Sequence, residues 1–521
     1  MADEPTTLAA LIEAQAEALG EKPFLSFQDR VISFAELNRQ VNRAAHGLAG
    51  LGVKQGVGVS IMMPNAPEWL FVYFATQKLG AYAVPVNVGL KGEGLRHIID
   101  HSDSSILVCH PDYAEAIQAI RGSLSKLEQI VVNTSEAPDG WKPPEGWRRL
   151  AEVMEASDAD PGVEIDEEAI SGLMYTSGTT GAPKGVVSRY GAMNIAGIRM
   201  FGAMLKPDDV LYSCLPLFHA NALFLTTVRA LAMGLPMALS RRFSASRFWD
   251  EVRRYGATTF NALGAMIPIL MKQPERPDDA DNPVGLVFSG ACPASVWAEF
   301  ERRFGLRILE GYAAVDGGGF TIFNFGNSPK GSFGKPMSPI RIVDDDGEEV
   351  AQGEPGELLF QVDDARRRRV DYYKNEQASN AKIRDGWFYT GDLVHADEEG
   401  HLYFVDRKTD SMRRRGENIS SWEVEREIDR HPAVLESAVF GVPSDLGEDE
   451  VMAVVVLQEG ERLAPEDLIR HCEEQMAGFM VPRYIDFRDA LPKTGTQRIQ
   501  KSILKQEGVG PGTWDRESHK D

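Results

Sequence analysis

Residues 175–185 read Tyr-Thr-Ser-Gly-Thr-Thr-Gly-Ala-Pro-Lys-Gly. Three glycines, four Ser/Thr hydroxyls and one lysine fall within these eleven residues. Glycine lets backbone N–H groups approach a ligand and point at it. Hydroxyls and an ammonium add further donors. Nothing apolar here builds a core, so the chemistry the string suits is the holding of phosphate oxygens. It is not the P-loop pattern, because Pro183 precedes Lys184 and Gly185 follows it. The competing reading is a plain flexible turn.

Other residues that can do chemistry are scattered. His219 and Asn221 sit between apolar stretches in Leu215-Pro-Leu-Phe-His-Ala-Asn-Ala222. Three short apolar runs (258–260, 284–288 and 307–309) each lead into a small-residue turn; the latter two lead into Ser289-Gly-Ala291 and Glu310-Gly-Tyr-Ala-Ala-Val-Asp316. His97 and His101 lie four apart, but a third metal ligand and a general-base glutamate are missing, so both read as solvated. Arg366–Arg369 reads as a solvated loop, with an anion site as the alternative.

The elements that must position these groups alternate. Thr6 or Thr7 can cap a helix to residue 18, and residues 24–34 alternate around Gln28-Asp29-Arg30 as a hairpin. Ser33-Phe-Ala-Glu36 is a capping box opening a helix to about residue 51. Strands over 57–63, 81–86, 106–110 and 130–133 are separated by helices over 69–78, 94–101 and 114–120. Such alternation implies α/β architecture with doubly wound parallel sheets. Ligands then gather at the carboxyl ends of strands, where the three turns fall. Residues 134–165, rich in Pro, Gly and Glu, read as surface connection. From Gly331 the texture becomes β-rich. The charged string Asp406-Arg-Lys-Thr-Asp410 marks a boundary before a small α/β unit. Its strands are expected around 436–440 and 451–457, its helix over 465–476.

At 521 residues the chain needs more than one core. Its net charge of −22 argues against a nucleic-acid partner. The four cysteines are far apart, which suits a reduced, cytoplasmic setting. The acidic N-terminus lacks a signal peptide's pattern, and no apolar run reaches the roughly 18 residues of a membrane span.

The string 175–185 resembles the signature of the acyl-adenylate-forming superfamily of acyl-CoA ligases, adenylation domains and luciferases. Residues 311–316, 331–336, 356–359, 389–393, 406–425 and 491–501 resemble further motifs of that family, in its order. Pro216-Leu-Phe-His-Ala-Asn221, Phe260-Asn-Ala-Leu-Gly-Ala-Met266 and Thr513-Trp-Asp-Arg-Glu517 narrow the resemblance to the crotonobetaine/carnitine-CoA ligase branch. It implies an N-terminal AMP-binding domain over 1–408 and a mobile C-terminal domain over 410–521, hinged at Thr409. A carboxylic acid would be activated by Mg-ATP as acyl-AMP, with release of pyrophosphate, and then passed to CoA. Arg498, Lys184 and Asp316 are the implied catalytic residues, Asp316 also as ligand of Mg²⁺.

The implied ATP/AMP site comprises Thr176, Ser177, Gly178, Thr179, Thr180, Gly181, Lys184, Ser289, Gly290, Ala291, Glu310, Gly311, Tyr312, Asp392 and Arg407. Tyr312 would stack on adenine, while Asp392 and Arg407 would hold the ribose. His219, Asn221, Asn261, Gly264 and Met266 would line the acyl pocket. Arg413, Arg414, Arg415, Gly416 and Glu417 would face CoA, the arginines holding its phosphates.

Three residues depart from the family pattern. Val315 stands where a threonine is usual and Asp316 where a glutamate is. Arg498 stands in place of a lysine, with Lys493 or Lys501 as the fallback. An amino-acid or aryl-acid adenylating enzyme serving a carrier protein is the alternative, although Ser244 follows Phe243 where an aspartate is usual. A luciferase-like oxygenase and a nucleotide-binding pseudoenzyme are further readings. Carnitine-like, fatty, aryl and steroid side-chain acids stay open as substrates, as does a homodimer.

Overall fold

The computed structural model describes residues 5–176, 182–192, 195–263, 266–290, 292–317, 321–344, 346–363, 370–407, 411–444, 447–492, 499 and 501–519. It is an α/β protein with a large N-terminal part of mixed sheets and a smaller C-terminal part. The predicted caps are present: the Thr7 hydroxyl accepts from Ala10 N at the start of helix Leu8–Leu19. The Ser33 hydroxyl accepts from Glu36 N at the start of helix Phe34–Gly50.

Two large sheets carry the N-terminal part. One has seven strands, running in space Arg148–Arg149, Gln129–Val132, Ser104–Cys109, Gly58–Met62, Tyr82–Pro85, Ile170–Thr176 and Lys184–Arg189. All neighbours are parallel except the last pair, the antiparallel hairpin that carries the glycine-rich loop. The other has eight strands, with Leu211–Ser213, Thr259–Leu263, Leu286–Gly290 and Arg307–Ala313 parallel in its middle. The largest core lies between the sheets and includes Val59, Ile61 and Val108 from one, Leu25, Leu211 and Met237 from the other. Every residue of helix Pro67–Lys78 is buried there. Its one lysine, Lys78, is satisfied by Glu13 Oε1 at 2.7 Å and Asn38 Oδ1 at 2.9 Å. A helix apolar on all sides is a core helix.

A third sheet is built from Ile340–Val343, Gly356–Gln361, Ile383–Arg384, Trp387–Ala396 and Leu402–Arg407, as the β-rich texture predicts. The C-terminal part holds the hairpin Ser411–Arg414/Glu417–Ser420 and a four-stranded sheet, with helices Ser421–Asp429 and Pro465–Gln475. Among the described residues no helix is long and apolar enough to cross a membrane. All four cysteines are buried and free.

One element departs from the sequence reading. Of the segment 310–316, expected as a turn, the first half continues the strand Arg307–Ala313 and pairs antiparallel with Thr321–Asn324; the chain turns only afterwards, over 315–317. The added edge strand prolongs the ladder past the end of its parallel neighbour.

Candidate active site

The glycine-rich hairpin places Thr176 directly opposite Lys184 and Tyr175 opposite Gly185. Ser177, Gly178, Thr179, Thr180 and Gly181 lie outside the described residues. Two histidines brace the ends of the loop. His97 Nε2 donates to Pro183 O at 3.1 Å, and His101 Nδ1 shares a hydrogen bond of 2.8 Å with the Tyr175 hydroxyl. Their rings stack at 5.0 Å. The pair expected to be solvated is half-buried, because the helix Gly92–His101 packs beside the hairpin.

A polar cluster surrounds the lysine. Lys184 Nζ lies 5.3 Å from the centre of the Tyr372 ring. The Tyr372 hydroxyl donates to Asp316 Oδ2 at 2.5 Å, and Lys382 Nζ is 3.1 Å from the same oxygen. Burial, and then the second ammonium of Lys382, push the Lys184 pKa below its ordinary value, while Asp316 opposes them. Tyr372 arrives because the segment before it adds to the hairpin: Val187 N donates to Asp371 O and Tyr373 N to Gly185 O. Sequence reasoning missed Tyr372 and Lys382, which carry no motif.

The second group stands at the strand ends of the eight-stranded sheet. Ser289 pairs with Glu310, and buried Glu310 accepts from Cys292 N at 3.1 Å. Gly290 is the last residue of its strand, beside Leu263. At Gly311 a Cβ would come within 2.6 Å of the Phe323 ring, so the strand demands glycine there. The Tyr312 ring stacks on Phe333 at 5.2 Å, and its hydroxyl donates to Asp392 Oδ2 at 2.6 Å. Asp392 is buried and stands opposite Arg407 in the ladder. Ala291 and the Arg407 side chain lie outside what is described.

The third group is amide-rich. Asn261 Nδ2 donates to Asn221 Oδ1 at 2.8 Å and to Thr226 Oγ1 at 3.1 Å. Asn221 opens a stretch of π-helix, Asn221–Val228, a form frequent at functional sites. Arg229 follows it, buried, and donates from Nη2 to Asn261 Oδ1 at 3.2 Å. Met266 is buried in the neighbouring apolar core, and Gly264 is outside the described residues. Arg229 is the only charged residue between 215 and 240, a signal the sequence did offer.

The C-terminal hairpin reaches this cleft. Glu417 Oε2 lies 3.1 Å from His219 Nε2 and accepts from Asn87 Nδ2 at 3.0 Å. At the tip Gly416 has φ +80°, a conformation open to glycine, and its N–H donates to Glu448. Arg413 and Arg415 keep solvent access, the latter 55% exposed. Arg414 does not face outward as the triple arginine suggested. It is 1% exposed, 2.6 Å from Glu450, and donates to Phe479 O and Val481 O, because hairpin side chains alternate and this one points into the C-terminal core. Thr409, Lys493 and Arg498 lie outside the described residues. Lys501 is held by Glu425 at 2.6 Å and Ser421 at 2.8 Å.

The chain matches the family model of AMP-binding enzymes over residues 12–363, and that of the AMP-binding enzyme C-terminal domain over 423–498. It is 31% identical over 511 residues to a crotonobetaine/carnitine–CoA ligase of Salmonella paratyphi A, covering 94% of this chain and 97% of that one. A double mutant of o-succinylbenzoate CoA synthetase from Bacillus subtilis, bound to its product analogue OSB-NCoA, superposes with a TM-score of 0.79. It is 26% identical, and 96% of this chain and 98% of that one are covered. The same synthetase in complex with AMP superposes at 0.64, again 26% identical, over 95% and 98%. The chain as a whole therefore superposes more closely on the first form than on the second.

Proposed function

The chain belongs to the AMP-binding enzyme family, and from that membership we propose that it joins a carboxylic acid to CoA in two steps. In the first, a carboxylate oxygen attacks the α-phosphorus of ATP. The bond to the β-phosphate breaks and pyrophosphate leaves. In the second, the CoA sulfur attacks the acyl carbon, the thiol proton is lost, and AMP departs with the C–O electron pair.

The observation that supports this reading best is one convergence. Asp316, four residues after Tyr312, meets Lys184 of the loop, while Tyr312 itself holds Asp392. The residues assigned here to triphosphate, adenine and ribose are thus linked through the short span 312–316. Lys184 and the loop clamp the leaving pyrophosphate. Tyr312 offers a ring face to adenine, and Asp392 accepts from ribose hydroxyls. Ser289, Gly290, Glu310 and Gly311 shape the base pocket. Arg498 carries the positive charge between carboxylate and α-phosphate, with a planar fork in place of a point charge. The short, half-buried ion pair of Lys501 with Glu425 argues against it as the substitute, which leaves Lys493.

Magnesium belongs to this chemistry. Among the described residues no group of three or more His, Cys, Asp or Glu forms a metal cage. Mg²⁺ needs only one or two carboxylates besides nucleotide phosphates, and Asp316 fits that demand. It would hold the metal by exchanging Lys382 for it; the ion would supply charge neutralisation at the phosphates.

The likeness to the OSB-NCoA form supports a thioester-forming arrangement, with Glu417 and Gly416 beside the CoA path and His219, Asn221 and Asn261 around the acyl group. Arg413 and Arg415 remain as partners for CoA phosphates. The decisive assay is a carboxylic-acid panel scored for CoA-dependent AMP and pyrophosphate. ADP as the main nucleotide product overturns the mechanism. A nucleotide-binding protein without turnover is the second reading, favoured by the Lys382 contact of Asp316; ATP binding with no AMP across the panel would select it.

A further inference from the structure

Among the described residues, three arginines are nine-tenths or more buried: Arg229, Arg303 and Arg414. Arg303 sits 2.7 Å from Asp279 and Arg414 2.6 Å from Glu450. Arg229 pairs with no carboxylate among the described residues, and its Nε has no hydrogen-bond partner. An uncompensated buried charge is costly, and chains avoid it by pairing or neutralising the group. Burial lowers the Arg229 pKa only to about 10, so the guanidinium stays charged near neutrality. The Phe288 ring, 4.2 Å from its Cζ, offsets part of the cost.

The location gives the charge a purpose. Asn261 and Phe288 are ladder partners midway along their parallel strands, two residues before the carboxyl ends. A chain of amides runs inward from half-exposed Asn221 to Asn261 to Arg229. Its outer end opens beside His219, where the proposed acyl pocket lies. The surrounding stretch is apolar, so an aliphatic residue would serve packing better than arginine.

We propose that Arg229, with Asn261 and Asn221, receives a second carboxylate on the acid substrate, distal to the one that is activated. The preferred substrate is thus a dicarboxylic acid, and an acid ending in trimethylammonium is disfavoured by like charge. This rests on the acid–CoA ligase reading above.

The test compares matched acids: glutarate and adipate against pentanoate and hexanoate, and 4-trimethylammoniobutyrate as the cationic probe. CoA-dependent AMP formation gives kcat/KM for each, with the wild type, Arg229→Met and Arg229→Lys. The wild type should favour the diacid over its matched monoacid by tenfold or more. Arg229→Met should reduce that ratio at least tenfold, while Arg229→Lys keeps part of it. A wild type that prefers the trimethylammonium acid, or a ratio unmoved by Arg229→Met, overturns the proposal. If neither variant folds, the wild-type ratios alone decide. Thermal shift of the wild type by the same acids reads the pocket without turnover. Stabilisation by diacids with no AMP formed would sink the ligase reading and keep this one; AMP formed from monoacids alone would do the reverse.

Discussion

Glu417 and His219 stand 3.1 Å apart, one on the C-terminal hairpin and the other on the N-terminal cleft. Asn87 holds the same carboxylate oxygen at 3.0 Å, so the hairpin is anchored on two sides. A contact that joins the two parts stabilises the arrangement that makes it, and so favours the half-reaction which that arrangement serves. Glu417→Gln should slow transfer of a preformed acyl-adenylate to CoA by roughly tenfold, about 1.4 kcal/mol of barrier. Acid-dependent ATP–pyrophosphate exchange should stay near wild type. Equal losses in both assays would refute the assignment.

Lys184→Met should cost roughly 10²–10³ in kcat for adenylation, the usual size for removing one well-placed donor to developing anionic charge. The melting temperature should hardly move, because Lys184 forms no short ion pair among the described residues and burial already works against its charge. Pyrophosphate exchange beside a melting curve checks both halves of this statement.

The neighbouring arginines of the hairpin should part company. Arg414→Met removes the nearer partner of buried Glu450, leaving it Arg483 at 3.7 Å, and should destabilise by about 3 kcal/mol. Arg415→Ala, at the exposed tip, should stay within about 0.5 kcal/mol of wild type and raise the KM for CoA. Denaturant melts and CoA titrations separate the two effects.

Glu423 supplies a pH dependence. Burial first, and then Glu427, push its pKa up to about 7, against the pull of Arg426. The folded protein thus keeps the neutral acid. No penalty exists below the ordinary pKa of 4.5. As the pH rises from there to about 7 the unfolded chain ionises first, and stability falls by at most about 3 kcal/mol. Glu423→Gln should melt higher than wild type at pH 8 and close to it at pH 4.5. Parallel curves across that range would refute the effect.

What the sequence made legible was whatever is local. The Ser33 cap, the hairpin turned at Gln28 and the alternating strands all depend on neighbours in the chain, and each is present. Tyr312 and Asp392 stand in separate strings, and nothing in either tells that one donates to the other across 80 residues. The inward turn of Arg414 escaped because three like residues in a row look alike until a strand assigns them faces. His97 and His101 lack metal-ligand company in the sequence, and their partners in the fold, Pro183 and Tyr175, carry no spacing that announces them. Arg229 went unnoticed because an isolated charge has no spacing.

The buried helix Pro67–Lys78 bears on how the chain is made. Its first wall, strands Gly58–Met62 and Tyr82–Pro85, emerges from the ribosome with it. Its other packing partners, helices Leu8–Leu19 and Phe34–Gly50, precede it in the chain, and Lys78 bonds to both. At roughly 5–20 residues per second, the helix leaves the ribosome with these neighbours already made. The segment up to Pro85 can therefore begin to pack during synthesis, before the strands from Leu211 onward exist to close over it.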